Sequence, residues 1–178
     1  QGIYSFNSQY RNDVGGGAIA VSPWSGGALR ATARYADVNA HFPTDFTGAP
    51  VDPNAFNTQK RTLIGAELAQ RVRSADAQLS LTSNVTDGAT IEPPNQPGEV
   101  ASEPRSHVVR QVAALRVSLP VRAVATLTAG GSLEKQHQGG EEAVNRQNGA
   151  GYVELLATSG ATTAALGARL DHSQRYGD

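Results

Sequence analysis

Alternation with a period of two recurs along almost the whole chain, and no other feature constrains the fold as strongly. In LRATARYADV, Leu29, Ala31, Ala33 and Tyr35 fall on one side while Arg30, Thr32 and Arg34 fall on the other. A β-strand sends successive side chains to opposite faces, so this pattern specifies a strand with one apolar and one polar face. TLIGAELAQRV repeats it, with Thr62, Ile64, Ala66, Leu68 and Val72 against Glu67 and Arg71. In AQLSLTSNV, Ala77, Leu79, Leu81 and Val85 oppose Gln78, Ser80, Thr82 and Asn84. VVRQVAALRV sets Val109, Ala113, Leu115 and Val117 against Arg110, Ala114 and Arg116, and AVATLTAGGSLEK sets Ala123, Ala125, Leu127, Ala129 and Leu133 against Thr126, Thr128, Ser132 and Glu134. GYVELLA and ALGARLDH continue the theme, with Glu154 on one polar face and Arg169 and Asp171 on another. GAELAQRVRSADAQL is the best helical candidate because Ala and Leu favour helices, but its polar residues alternate singly and Gly65 interrupts it. Strand is the reading throughout.

The connections order these strands. PWSGG (23–27), RSAD (73–76), LPVR (119–122) and TSGAT (158–162) carry the Gly, Pro, Ser and Asp of tight turns. Between them lie polar stretches at 39–58, 87–106 and 137–149, expected as long loops. The opening GIYSFNSQYRN is expected as a further strand, turning near Asn12 to Gly16 into a strand GGAIAVS. The sum is an antiparallel meander of about seven to nine strands with short and long connections in alternation.

An apolar face can look inward to a protein core, as in a soluble sandwich, or outward to lipid, as in a membrane barrel whose polar face lines the lumen. Short turns at one rim and long loops at the other are the habit of outer-membrane barrels. The expected fold is therefore all-β, an antiparallel transmembrane β-barrel portion, with residues 1–178 forming one partial barrel domain and no plug domain. Leu29, Ala31, Ala33 and Tyr35 then face lipid, and Trp24, Tyr35 and Tyr152 are expected near strand ends, in the interfacial girdles. The lumen-facing set is Arg30, Arg34, Glu67, Arg71, Arg110, Arg116, Glu134, Glu154 and Arg169. Two alternatives stay open: a complete small barrel of eight strands acting as an adhesin or structural protein, and a soluble antiparallel binding module. The second would need a core built almost without aromatics.

Composition closes several function classes. With 178 residues, 39% hydrophobic and 17% charged, the chain suits one ordinary folded domain. Its formal charge is -1 and no run of Lys or Arg occurs, so nucleic acid is not an expected partner. The absence of Cys removes disulfides and thiol catalysis. The absence of Met suggests an excised piece of a longer protein. No run of about 18 apolar residues offers a helical membrane span, which leaves spanning by strands untouched.

No catalytic constellation emerges. Asp171, His172 and Ser173 contain the residue types of a hydrolytic triad, but neighbours on a strand point to opposite faces. His41, His107, His137 and His172 lack the short spacings of metal ligands, and the glycine runs lack the Lys-Ser/Thr of a phosphate loop. No enzyme activity, metal or cofactor is expected. Ligand contacts are expected instead in the first long loop, from His41, Asp45, Phe46, Asp52 and Phe56.

The segment ALGARLDHSQRYGD resembles the barrel signature of TonB-dependent outer-membrane receptors, in which a strand ending in Arg, Asp and Ser leads to an aromatic and a Gly at the start of an extracellular loop. The matching residues are Arg169, Asp171, Ser173, Tyr176 and Gly177. FPTDFTGAPVDPNAF followed by RTLIGAEL also looks like the middle of such a barrel. The resemblance implies a 22-stranded barrel of which this chain is an incomplete piece. It further implies the bacterial outer membrane as location and lipid as neighbour. The function implied is energised uptake of a scarce small-molecule or metal-chelate ligand, such as a ferric siderophore or cobalamin. Energy would come from an inner-membrane coupling protein.

Overall fold

A computed structural model of the protein describes residues 10–41, 55–94, 98, 100–140 and 143–177, with side chains to residue 174. Eight strands follow one another: β1 Tyr10–Val21, β2 Gly27–His41, β3 Phe56–Val72, β4 Ala75–Ile91, β5 Arg105–Arg122, β6 Ala125–Gly139, β7 Val144–Ser159 and β8 Thr162–Gly177. Each pairs antiparallel with the next, in the order β1-β2-β3-β4-β5-β6-β7-β8, so the sheet is a pure meander. The period-two segments lie within β2 to β8, as their alternation requires, except that AVATLTAGGSLEK starts two residues early, with Ala123 in the turn before β6.

The sheet is a single layer. None of the described hydrophobic side chains is buried; on the apolar face Ile19 is 66% exposed, Leu133 61%, Leu166 75% and Leu170 82%. A soluble sandwich needs a second layer to bury that face, and the described residues supply none. Nor do β1 and β8 pair with each other; each has one neighbour, so the described sheet is open where a closed eight-stranded barrel would join them. All-β, antiparallel and one layer thick, this is the architecture of a portion of a barrel wall.

The connections alternate between two ends, three of two residues and one of five at one end, and two long and one of four residues at the other. At one end β1–β2 turns through residues 22–26, and two-residue turns at 73–74, 123–124 and 160–161 join β3–β4, β5–β6 and β7–β8. At the other end lie 42–55, 92–104 and 140–143. Three expectations are corrected here. No turn breaks Asn12 to Gly16: Gly15, Gly16 and Gly17 pair with Tyr35, Arg34 and Ala33 inside β1. A Cβ on Gly16 would stand 2.8 Å from the Ala33 carbonyl oxygen, so the glycine there permits close strand approach, not a bend. The expected strand before Tyr10 lies outside the described residues.

The turn expected at 119–122 sits instead at Ala123–Val124. Pro120 stays within β5 because the register shifts between Pro120 and Arg122, and such a bulge tolerates a residue that lacks an N–H. The stretch at 137–149 is mostly strand, with four residues between β6 and β7. Its polarity on both faces conceals the alternation, while His137 pairs with Asn145 and Gln136 with Arg146 in the ladder.

Candidate functional site

Register partners in an antiparallel ladder project to the same side, so a face can be traced from strand to strand. Arg30 lies opposite Glu67, Glu67 opposite Ser80, Ser80 opposite Ala114, Ala114 opposite Ser132, Ser132 opposite Ala150, and Ala150 opposite Asp171. Stepping by twos along each strand from this row places Arg30, Arg34, Glu67, Arg71, Arg110, Arg116, Glu134, Glu154 and Arg169 on one face. Six strands contribute to that one charged wall.

Polar side chains link across the wall. Arg110 donates to Glu134 Oε2 at 2.6 Å, Asn148 donates to Glu134 Oε1 at 3.2 Å, and Ser173 Oγ donates to Asn148 Oδ1 at 2.6 Å. This line crosses β5, β6, β7 and β8, and Glu134 is its most enclosed charge, with 19% of its side chain exposed. Toward the centre of the sheet Arg61 Nε donates to Asn84 Oδ1 at 3.0 Å. Nearer the turns, Arg169 forks onto Asp171 and Arg71 forks onto Asp76 beside the two-residue turn at 73–74. Hydrogen bonds from Arg71 hold the Asp76 carboxyl below its usual range. The partners Ser118 and Thr128 approach to 3.1 Å, and Thr158 and Thr163 to 3.3 Å.

Tyr152 departs from expectation. It lies within β7 on the charged face, opposite Gly130, and not in a girdle at a strand end. Asn84 joins the wall as the polar side of its strand requires, and Arg61, Arg146 and Asn148, outside the expected lumen set, join it through the parity they share with Glu67 and Glu154. For Arg146 and Asn148 the polar run at 137–149 conceals that parity.

The opposite face carries an apolar belt that runs obliquely across the hydrogen-bond rows. On β2 it covers Leu29 to Tyr35, on β4 Ala77 to Val85 and on β8 Ala164 to Leu170. Leu29 and Leu170 belong to one row, running through Leu68, Leu79, Leu115, Gly131 and Gly151. Yet Leu29 ends its belt segment on the turn side, and Leu170 ends its own on the loop side. The β2 segment centres on Thr32, whose row reaches Ser173; the β8 segment centres on Gly167, six residues away after six strand steps. A drift of about one residue per strand, at about 3.3 Å along and 4.8 Å across, makes the belt level if strands tilt by about 35°. That is the tilt of closed barrels. Nine residues from Ala77 to Val85, interrupted by Ser83, match the roughly 9–11 that a tilted strand needs to cross a hydrocarbon core.

On the loop side of the belt polar residues occur on both faces, beside Val38 and Val108 on the charged one and Phe56, Ala89 and Ile91 on the other. His107 and Asp87 approach to 2.6 Å, His137 and Asn145 to 2.7 Å, and Arg11 pairs with Asp13. His41 and Phe56 face each other at the ends of β2 and β3, rings stacked with centroids 5.3 Å apart, on the face opposite the charged wall. Asp45, Phe46 and Asp52 lie outside the described residues. Of the receptor-like signature, Arg169, Asp171 and Ser173 share the charged wall, while Tyr176 and Gly177 occupy the end of β8 opposite Asn145 and Val144.

Fold and faces together define a wall of the β-barrel kind, charged on one side and apolar on the other. No family model and no curated protein matches the chain.

Proposed function

We propose that this chain is part of the wall of an outer-membrane receptor barrel that takes up a scarce nutrient, such as a ferric siderophore or cobalamin, with energy from an inner-membrane partner. The apolar belt, whose drift across the rows is what a barrel tilt of about 35° would level, carries this reading. A protein core imposes no common height on the apolar residues of eight strands, whereas a bilayer does. The uncovered charged wall suits a wet lumen, where cross-strand pairs such as Arg71–Asp76 remain hydrated. The resemblance of Arg169, Asp171, Ser173, Tyr176 and Gly177 to TonB-dependent receptors supports receptor over simple pore.

The test uses the absence of native Cys. Single cysteines replace Ala31 or Thr32, neighbours on opposite faces, in the full-length protein in native outer membranes. Ala31→Cys is expected to react with a lipid-soluble maleimide alone, and Thr32→Cys with a water-soluble one. Protection of Ala31→Cys from both reagents would identify a protein core and overturn the membrane reading. The uptake reading is tested separately, by loss of growth on limiting iron or cobalamin when the gene is deleted.

A further inference from the structure

Charge on the polar wall is segregated along the strand direction. Every carboxylate that the strands place on this face, namely Glu67, Asp76, Glu134, Glu154 and Asp171, lies in the row of Glu134 or on its turn side. That region also holds Arg30, Arg71, Arg116 and Arg169, so its charge is mixed. On the loop side of the same row the strands place Arg34, Arg61, Arg110, Arg146 and Arg175 on this face and no strand carboxylate. Arg34, Arg110, Arg146 and Arg175 share one row, with Arg175 the register partner of Arg146, and Arg61 sits one row beyond it. The strand acids beyond this row, Asp13, Asp37 and Asp87, each three residues farther toward the loops, all fall on the opposite face.

From strand geometry, Arg34 and Arg61 have Cα atoms about 8 Å apart, Arg61 and Arg110 about 12 Å, and Arg110 and Arg146 about 10 Å. These separations lie within the span of extended arginine side chains. Arg61 is held by Asn84 and Arg110 by Glu134, whereas Arg34 and Arg146 are exposed and make no hydrogen bond or ion pair among the described residues. Two anchored guanidinium groups flanked by two free ones form a strip of planar, bidentate donors suited to phosphate or carboxylate oxygens.

We propose that this strip, Arg34, Arg61, Arg110 and Arg146, binds a free, small polyanion carrying two or more phosphate or carboxylate groups, which reaches it from the loop side of the wall. On the turn side the carboxylates offset the arginines, so the attraction for an anion is concentrated at the strip. The inference deepens the receptor reading and rests on its assignment of the polar wall to water.

Pyrophosphate serves as the probe, titrated calorimetrically into the full-length protein in detergent at low salt. Saturable binding is expected. The Arg34→Gln, Arg146→Gln double variant should raise Kd about tenfold or more, because the free donors are lost. Arg11→Gln with Lys60→Gln removes the same charge from the opposite face and should change Kd by less than about twofold, since exposed distant charges are screened. Arg34→Lys with Arg146→Lys should recover part of the loss, which separates an anion site from misfolding. Absence of binding by the unaltered protein overturns the proposal, as does an equal effect of the two Gln doubles, which would indicate net charge alone. Failure of binding with Thr32→Cys still labelled from water rejects the anion site but not the barrel. Binding with Ala31→Cys shielded from lipid does the reverse.

Discussion

The Tyr152 ring lies across the backbone of Gly130: a Cβ at position 130 would stand 2.7 Å from Cε1 and Cζ of the ring, and 2.6 Å from the Leu115 carbonyl oxygen. The two are register partners on β6 and β7, so the aromatic covers the gap that the glycine leaves in the sheet. Gly130→Ala is therefore expected to cost about 1–3 kcal/mol through overpacking. Urea unfolding of the lipid-refolded protein would measure it. A cycle with Tyr152→Ala should show coupling of about 0.5–3 kcal/mol, as for residues in contact. Rescue should remain incomplete, because the Leu115 carbonyl does not move with the tyrosine.

The oblique belt makes two positions in one row behave differently. Leu81 and His172 are connected through Ala113, Leu133 and Gly149. Leu81 sits inside the belt, whereas His172 lies on the loop side of Leu170, beyond it. In lipid vesicles Leu81→Arg should cost about 2–4 kcal/mol and His172→Arg about 0–1 kcal/mol. Equal costs would mean that the apolar face does not meet a bilayer at the inferred tilt.

Arg73 and Gly160 occupy the same place in two hairpins, the first residue of a two-residue turn, with φ of 55° and 58°. Glycine accepts this left-handed conformation freely, whereas a residue with a Cβ pays about 1–2 kcal/mol. Arg73→Gly should therefore stabilise by up to about 1 kcal/mol after the loss of chain entropy in the unfolded state, and Gly160→Ala should destabilise by about the same. Denaturant midpoints in detergent would report both signs.

The Arg71–Asp76 pair, beside the turn and outside the belt, predicts a pH effect. With its folded pKa lowered by Arg71, Asp76 contributes stability above the unfolded carboxylate pKa, and that contribution is lost as pH falls through the lower folded value. A carboxyl-carbon NMR titration should place the Asp76 midpoint below that of an ordinary aspartate. Arg71→Gln should return it to the ordinary range.

Much of the wall was legible because strand parity is local. The side on which Arg30 and Arg34, or Glu67 and Arg71, would fall follows from spacing of two and four residues, whatever the partner strand. Legibility failed where both faces are polar, as at Gln136 to Gln147, and where an expected breaker serves the sheet, as at Gly15 to Gly17 and Pro120. In the first case the hydrophobic contrast is gone; in the second, close approach or a bulge replaces the turn.

By itself, then, the sequence determined strand type, the two unlike faces of each strand, and most of the tight turns, all set by contacts a few residues apart. Only the tertiary structure decided that the nine charged residues share one wall, that Glu134 joins Arg110 to Asn148, that arginine stands alone on the loop side, and that the apolar belt drifts across the rows. Each of these depends on register, and register is chosen by pairing between segments tens of residues apart, where a slip of one residue would send every side chain to the other face.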